Sequence, residues 1–88
     1  MDVLFEASFA RDLKRVKDKQ LLQRVQSVIE EIKAASELSQ VRNLIKMQGY
    51  DTLYRIRLGD YRIGIEVMAE AVIFVRFLHR KDIYRKFP

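Results

Sequence analysis

The sequence predicts an α+β fold: a short first strand, a two-helix hairpin, then an antiparallel meander of three strands, with the helices packed on one face of the sheet. Three observations lead there. Apolar residues recur at helical spacing from Phe9 to Ile32. From Leu44 the period changes, and residues 52–58 alternate between apolar and polar in the manner of a half-buried strand. Gly59-Asp60 then separates two alternating runs, with Gly at the first central position of a two-residue hairpin turn.

Each element follows from local chemistry. Residues 2–6, Asp-Val-Leu-Phe-Glu, read as a short strand. Ser8 is the expected N-cap of the first helix, on which Phe9, Leu13 and Val16 share a face. Asp18 is placed to cap the second, where Leu21, Leu22, Val25, Val28, Ile29 and Ile32 form an apolar stripe and Arg24, Glu30, Glu31 and Lys33 lie between them. The two helices follow one another closely, which favours an antiparallel pair. Residues 34–43 lose the pattern and read as a connection. Residues 61–68 and 71–78 are the second and third strands of the meander, the last being the most hydrophobic. Ala69-Glu70 between them lacks turn chemistry and leaves their register open. With 88 residues the chain has room for one core, so residues 1–88 are expected to be a single domain.

Composition excludes several function classes. There is no cysteine, hence no disulfide framework and no thiolate metal site. His79 is the one histidine and has no cluster of Asp or Glu around it, so neither metal nor cofactor is expected. No apolar run approaches the length of a membrane span and the start is not a signal peptide; a cytoplasmic protein is expected. The formal charge is +5, from 17 basic and 12 acidic side chains. Residues 1–44 carry eight basic against seven acidic groups, and residues 45–88 nine against five. A basic half suits an anionic partner (nucleic acid, an acidic protein or a membrane surface), although it also serves solubility.

The excess charge concentrates in the hairpin. With Gly59-Asp60 as the turn, Leu58 faces Tyr61, Arg57 faces Arg62, Ile56 faces Ile63 and Arg55 faces Gly64. Alternation then projects Arg55, Arg57 and Arg62 together, while Tyr54, Ile56, Ile63 and Ile65 point to the core. Like charges opposite one another on a sheet are unfavourable, so three converging guanidinium groups suggest an anion site. The plainer alternative is a solvated sheet face. Gly64 beside them leaves room for a backbone or ligand to approach. The C-terminal segment, residues 79–88, adds Arg80, Lys81, Arg85 and Lys86 with one imidazole, His79, and one phenol, Tyr84. An imidazole is a candidate acid or base, but a lone histidine such as His79 is more often structural; Tyr84 can stack on a base or pack on the sheet edge.

Leu53-Tyr54-Arg55-Ile56-Arg57-Leu58-Gly59-Asp60-Tyr61-Arg62-Ile63 resembles the signature hairpin of the RelE/ParE toxin superfamily, RelE-like branch. Lys46-Met47-Gln48-Gly49-Tyr50 is similar to the element leading into it, and His79-Arg80-Lys81-Asp82-Ile83-Tyr84 to the His-Arg-x-x-x-Tyr ending. The resemblance spans nearly the whole chain. It implies the toxin of a type II toxin–antitoxin system: a ribosome-dependent, metal-independent mRNA endoribonuclease that drives the RNA 2′-hydroxyl onto the adjacent phosphate. Its implied partners are the ribosome and mRNA, a RelB-like, acidic and partly disordered antitoxin, and operator DNA through the antitoxin complex. It implies no membrane partner.

On that resemblance Arg55, Arg57 and Arg62 stabilise the phosphorane charge, Arg80 matches a tail arginine, and Tyr84 matches the tyrosine that stacks on a substrate base. Lys46, Lys81, Arg85 and Lys86 are the expected further RNA contacts. The sequence departs from the pattern at Arg57, where a lysine serves as base in well-known members; arginine is a poor base, which passes the acid–base candidacy to His79. A gyrase inhibitor of the ParE kind, and a non-catalytic member that only binds its antitoxin or operator DNA, are the competing readings. Apart from the resemblance, a small basic sheet with an exposed arginine patch would itself gain from an acidic, disordered partner that folds on it.

Overall fold

The sheet grows outward from the hairpin. In a computed structural model, which describes residues 1–88, β3 (Leu53–Leu58) and β4 (Tyr61–Met68) pair antiparallel with Leu58 opposite Tyr61, Arg57 opposite Arg62, Ile56 opposite Ile63 and Arg55 opposite Gly64, the register expected from the turn. Gly59 takes φ +60°, a conformation that the hairpin turn demands and glycine adopts without strain. β5 (Ala71–His79) returns along β4 through Ala69-Glu70, with Ala69 at φ +53°. An alanine in the left-handed region is why that turn carries no signature in the sequence.

Two strands complete the sheet. β1 (Asp2–Phe5) pairs parallel with β5, and β2 (Leu44–Lys46), a strand the sequence does not announce, pairs antiparallel with β3 directly after the 34–43 connection. The order is β1-β5-β4-β3-β2, so the expected three-strand meander is the centre of a five-stranded mixed sheet.

α1 (Ala7–Lys14) and α2 (Lys19–Ala34) cover one face. Asp18 caps α2 as expected, its carboxylate accepting from the Gln20 and Leu21 amides at 3.0 and 3.2 Å. The apolar side of α2 (Leu21, Val25, Ile29, Ile32) joins Phe9, Ile56, Ile63, Ile65, Val72, Phe74 and Phe77 in one continuous buried cluster. Ser8 is not the cap of α1. Glu6 holds that position without a side-chain hydrogen bond, and the Ser8 hydroxyl donates to the Val75 carbonyl at 2.6 Å.

That contact reflects a division of labour along the β5 edge. β1 pairs with β5 only to Phe74, where a bulge shifts the β4 register between Gly64 and Ile65. Beyond it, side chains of α1 satisfy the backbone instead. Ser8 takes the Val75 carbonyl, and Asp12 accepts from the Phe77 amide at 2.9 Å. Asp12 also grips the Arg76 guanidinium through Nε at 2.8 Å and Nη2 at 3.1 Å. These bonds hold the Arg76 pKa above its ordinary value. The Asp12 side chain is 5% exposed, so this is a desolvated pair whose remaining lone pairs are spent on backbone.

The opposite face differs from expectation. The C-terminal segment is a helix, α3 (Arg80–Lys86), and it packs on the side of the sheet away from α1 and α2, so the helices are not confined to one face. Leu53, Leu78, Ile83 and Phe87 form a second, smaller buried cluster there. The space over Gly64 is filled by the chain itself: a Cβ at Gly64 would lie 2.8 Å from the Phe87 ring. No helix of the protein is long and apolar enough to cross a membrane.

Candidate functional site

Strand alternation sends Arg55, Arg57 and Arg62 to the α3 face, beside Gly64. Arg62 is the most fixed of the three. Its Nη1 donates to the carbonyls of Gly59 and Tyr61, both at 2.8 Å, which orients the fork and leaves Nε and Nη2 free. Partial burial, followed by the charges of Arg57, Arg55 and Arg80, holds its pKa below the ordinary arginine value. An arginine still remains charged at neutral pH, so Arg62 is a partly buried cation held among like charges. Such a cluster is stabilised by an anion.

α3 brings the tail to the arginines. At its start the Arg80 amide donates to the Asp60 carbonyl of the hairpin turn at 2.8 Å. Along its inner side Ile83 and Phe87 are fully and almost fully buried. These anchors leave Tyr84 on the outside, 63% exposed, with the Arg55 guanidinium 4.7 Å from its ring centroid. The contact is a cation–π pair, and the Arg55 Nε lies buried without a hydrogen-bond partner. Arg55 and Tyr84 line a cleft of about 410 Å³ with Ile45, Lys46, Met47 and Gln48. An aromatic face, a guanidinium plane and amide groups at one opening suit a stacked, hydrogen-bonding ligand such as a nucleobase.

The structure therefore brings together Arg55, Arg57, Arg62, Arg80 and Tyr84, with Lys46 at the rim. It places the other residues singled out by the sequence elsewhere. His79 pairs with Tyr61 across the strands and meets that ring edge-on at 5.5 Å, on the face opposite the arginines. Its Nδ1 accepts from the Lys81 amide at 3.2 Å, making it the N-cap of α3 and requiring that nitrogen unprotonated. Lys86 shares a separate cleft with His79, Asp12 and Arg15. Arg85 is paired with Asp82 at 3.0 Å, and Lys81 is exposed on the first turn of α3. No group of three or more His, Asp or Glu side chains could hold a metal ion.

The sequence reading gave no role to Ile83 or Phe87, the residues that hold the tail in place. The available signal was their i, i+4 spacing among charged residues, the pattern of a short amphipathic helix.

Comparison with known proteins identifies the family and the fold. A family model described as "ParE toxin of type II toxin-antitoxin system, parDE" matches residues 3–84. The chain is 45% identical to toxin RelE3 of Methanocaldococcus jannaschii, over all of both chains. Its structure resembles the crystal structure of a RelB–RelE antitoxin–toxin complex from Methanococcus jannaschii with a TM-score of 0.82 and 44% identity, covering 97% of this chain and 99% of that one. A RelE–RelB complex from Pyrococcus horikoshii gives a TM-score of 0.73 at 22% identity over 90% and 93% of the two chains, a likeness of fold. With a family match across almost its full length and a close relative covering every residue, the chain belongs to the RelE/ParE family of type II toxin–antitoxin toxins.

Proposed function

We propose that the chain is an mRNA endoribonuclease that acts on the ribosome and is silenced by an antitoxin. The observation that carries this reading is the convergence of Arg55, Arg57, Arg62 and Arg80 with the exposed ring of Tyr84 on one face. Cleavage forms a bond from the RNA 2′-oxygen to phosphorus and breaks the bond to the 5′-oxygen, leaving a 2′,3′-cyclic phosphate and a 5′-hydroxyl. The 2′-hydroxyl loses a proton and the 5′-oxygen gains one. Negative charge gathers on the phosphorane between these events, and preorganised cations aimed at it lower the barrier. Arg62 is best prepared for that role, its fork already oriented by two carbonyls. Arg57, directly opposite, supplies a second cation. Tyr84 stacks on a base, taking the place now occupied by the Arg55 guanidinium. The substrate is RNA because only RNA carries the attacking hydroxyl.

His79 is better suited to capping α3 than to proton transfer at this face, given its position and the bond its Nδ1 accepts. The partner in this reading is an antitoxin of the kind seen with RelE in the M. jannaschii complex. An acidic segment folding over the arginine face would neutralise its charge and cover Tyr84.

Primer extension on a reporter mRNA translated in a cell-free system tests this. The wild type should give ribosome-dependent cuts in phase with codons. Arg62→Ala should lower cleavage by about 10²-fold or more, and Tyr84→Ala should also impair it, both with unchanged melting. An uncut message in the presence of folded, antitoxin-free protein would refute the reading. The match to a family model described as ParE toxin favours one alternative, inhibition of DNA gyrase, which would show as gyrase-dependent DNA breaks with intact message.

A further inference from the structure

The cationic surface does not stop at the α3 face. Arg57 stands just beyond the three residues of β3 that pair with β2, and its backbone N–H donates to the Asn43 carbonyl at 3.0 Å. Arg57 also lines, at the edge of the strand, a second cleft of about 610 Å³ between β3 and α2. Arg24 from α2 and Arg42 from the segment before β2 line the same cleft. These three guanidinium groups are unequally engaged. Arg42 lies 3.7 Å from Glu31, and Glu30 is held by Gln26 and Lys33. The guanidinium groups of Arg24 and Arg57 have no hydrogen-bond or ion-pair partner within the chain. Arg24 reaches over the hairpin turn, where its Nη1 would lie 3.4 Å from a Cβ at Gly59. Two free guanidinium groups from different elements therefore stand at the turn end of the cleft, with the carboxylates neutralised by neighbouring cations.

Arg57 is common to both surfaces, since its charge acts on Arg62 and the residue lines the cleft with Arg24. We propose that Arg24 and Arg57 form a second phosphate subsite on the α2 side of the hairpin turn, for the sugar–phosphate backbone of an RNA strand whose neighbouring phosphate meets Arg62. The inference rests on the reading that the arginine face binds RNA. It gives the arginine at position 57 a physical purpose. A guanidinium offers five donors in a planar fork and can serve phosphates on two sides, where an ammonium is a single point charge. An acidic peptide lying along α2 would meet Glu30 and Glu31, whereas a polyanion crossing the turn meets cations on both sides.

The test is equilibrium binding of the full chain to a labelled single-stranded RNA made of 2′-O-methyl riboses, which cannot be cut, across a series of salt concentrations. Arg24→Ala should weaken binding by roughly three- to tenfold at moderate salt and reduce the steepness of the salt dependence by about 0.7. Arg11→Ala removes the same charge from the exposed surface of α1 and should leave both quantities unchanged. Melting of each variant confirms the fold. Wild-type binding by Arg24→Ala, with binding lost in Arg62→Ala, would overturn the subsite and leave the RNA reading standing. Equal weakening by Arg11→Ala would also overturn it, by showing a diffuse charge effect. Unchanged RNA binding with weakened capture of an antitoxin would assign Arg24 to the protein partner instead, against the proposal. Absence of RNA binding by the wild type, free or on ribosomes, would remove the functional reading and the subsite with it.

Discussion

The two faces of the sheet are built on different principles. The face under α1 and α2 is a continuous apolar cluster of 14 buried residues, in which Ile32, Ile63, Ile65, Val72 and Phe74 have no exposed surface. The face under α3 buries four, Leu53, Leu78, Ile83 and Phe87, and gives the rest of its central area to like charges. Side-chain alternation makes both faces from the same strands, so each residue added to the core side brings its neighbour to the other. The chain places its stability on one side and can therefore tolerate, on the other, guanidinium groups that repel one another. The strained arrangement is affordable where packing does not depend on it.

This asymmetry can be broken from either side. Phe74→Ala removes a fully buried ring from the large cluster and should cost about 3–5 kcal/mol, enough to shift a urea transition of the whole domain to near zero denaturant. Asp12→Asn is expected to cost about 3 kcal/mol, because it leaves the Arg76 guanidinium with a neutral partner; amide exchange should show the loss first at Phe77 and its neighbours on β5. Gly64→Ala should have the smallest effect, about 1–3 kcal/mol from overpacking against Phe87. Its signature is local: the α3 amides lose protection while those of α2 and the core strands keep theirs. A uniform loss across both faces in Gly64→Ala would show that the smaller cluster is not energetically separate from the larger one.

The parts legible in the sequence were those fixed by short-range chemistry. The turn at Gly59-Asp60 set the β3–β4 register residue by residue, and with it the common direction of Arg55, Arg57 and Arg62. Asp18 marked the start of α2 because its carboxylate meets the free amides of the first turn. What escaped depends on residues distant in sequence. β1 is too short to show its pairing, and its partner β5 lies at the other end of the chain. β2 has three residues, fewer than alternation needs to become visible. Ser8 looks like a cap by type, yet its hydroxyl is drawn to the unpaired Val75 carbonyl that the β5 bulge exposes. Gly64 read as space for a ligand because nothing local reveals that Phe87 lies across it. For the candidate site, the arginines were readable and the position of His79 was not, since the face it takes depends on the same bulge that shifts β5.

The parallel pairing of β1 with β5 has a consequence in time. During synthesis β1 is the first strand to emerge and has no neighbour until β5 follows, because both of its immediate successors are helices. The sheet thus closes late, through a contact of high sequence separation that slows folding. α3 comes later still, and without it neither Tyr84 nor Arg80 stands beside the arginines. A partly made chain carries its cations before it carries the helix that sets Arg80 and Tyr84 beside them, so the arginine face is completed only when nearly all of the chain has been made.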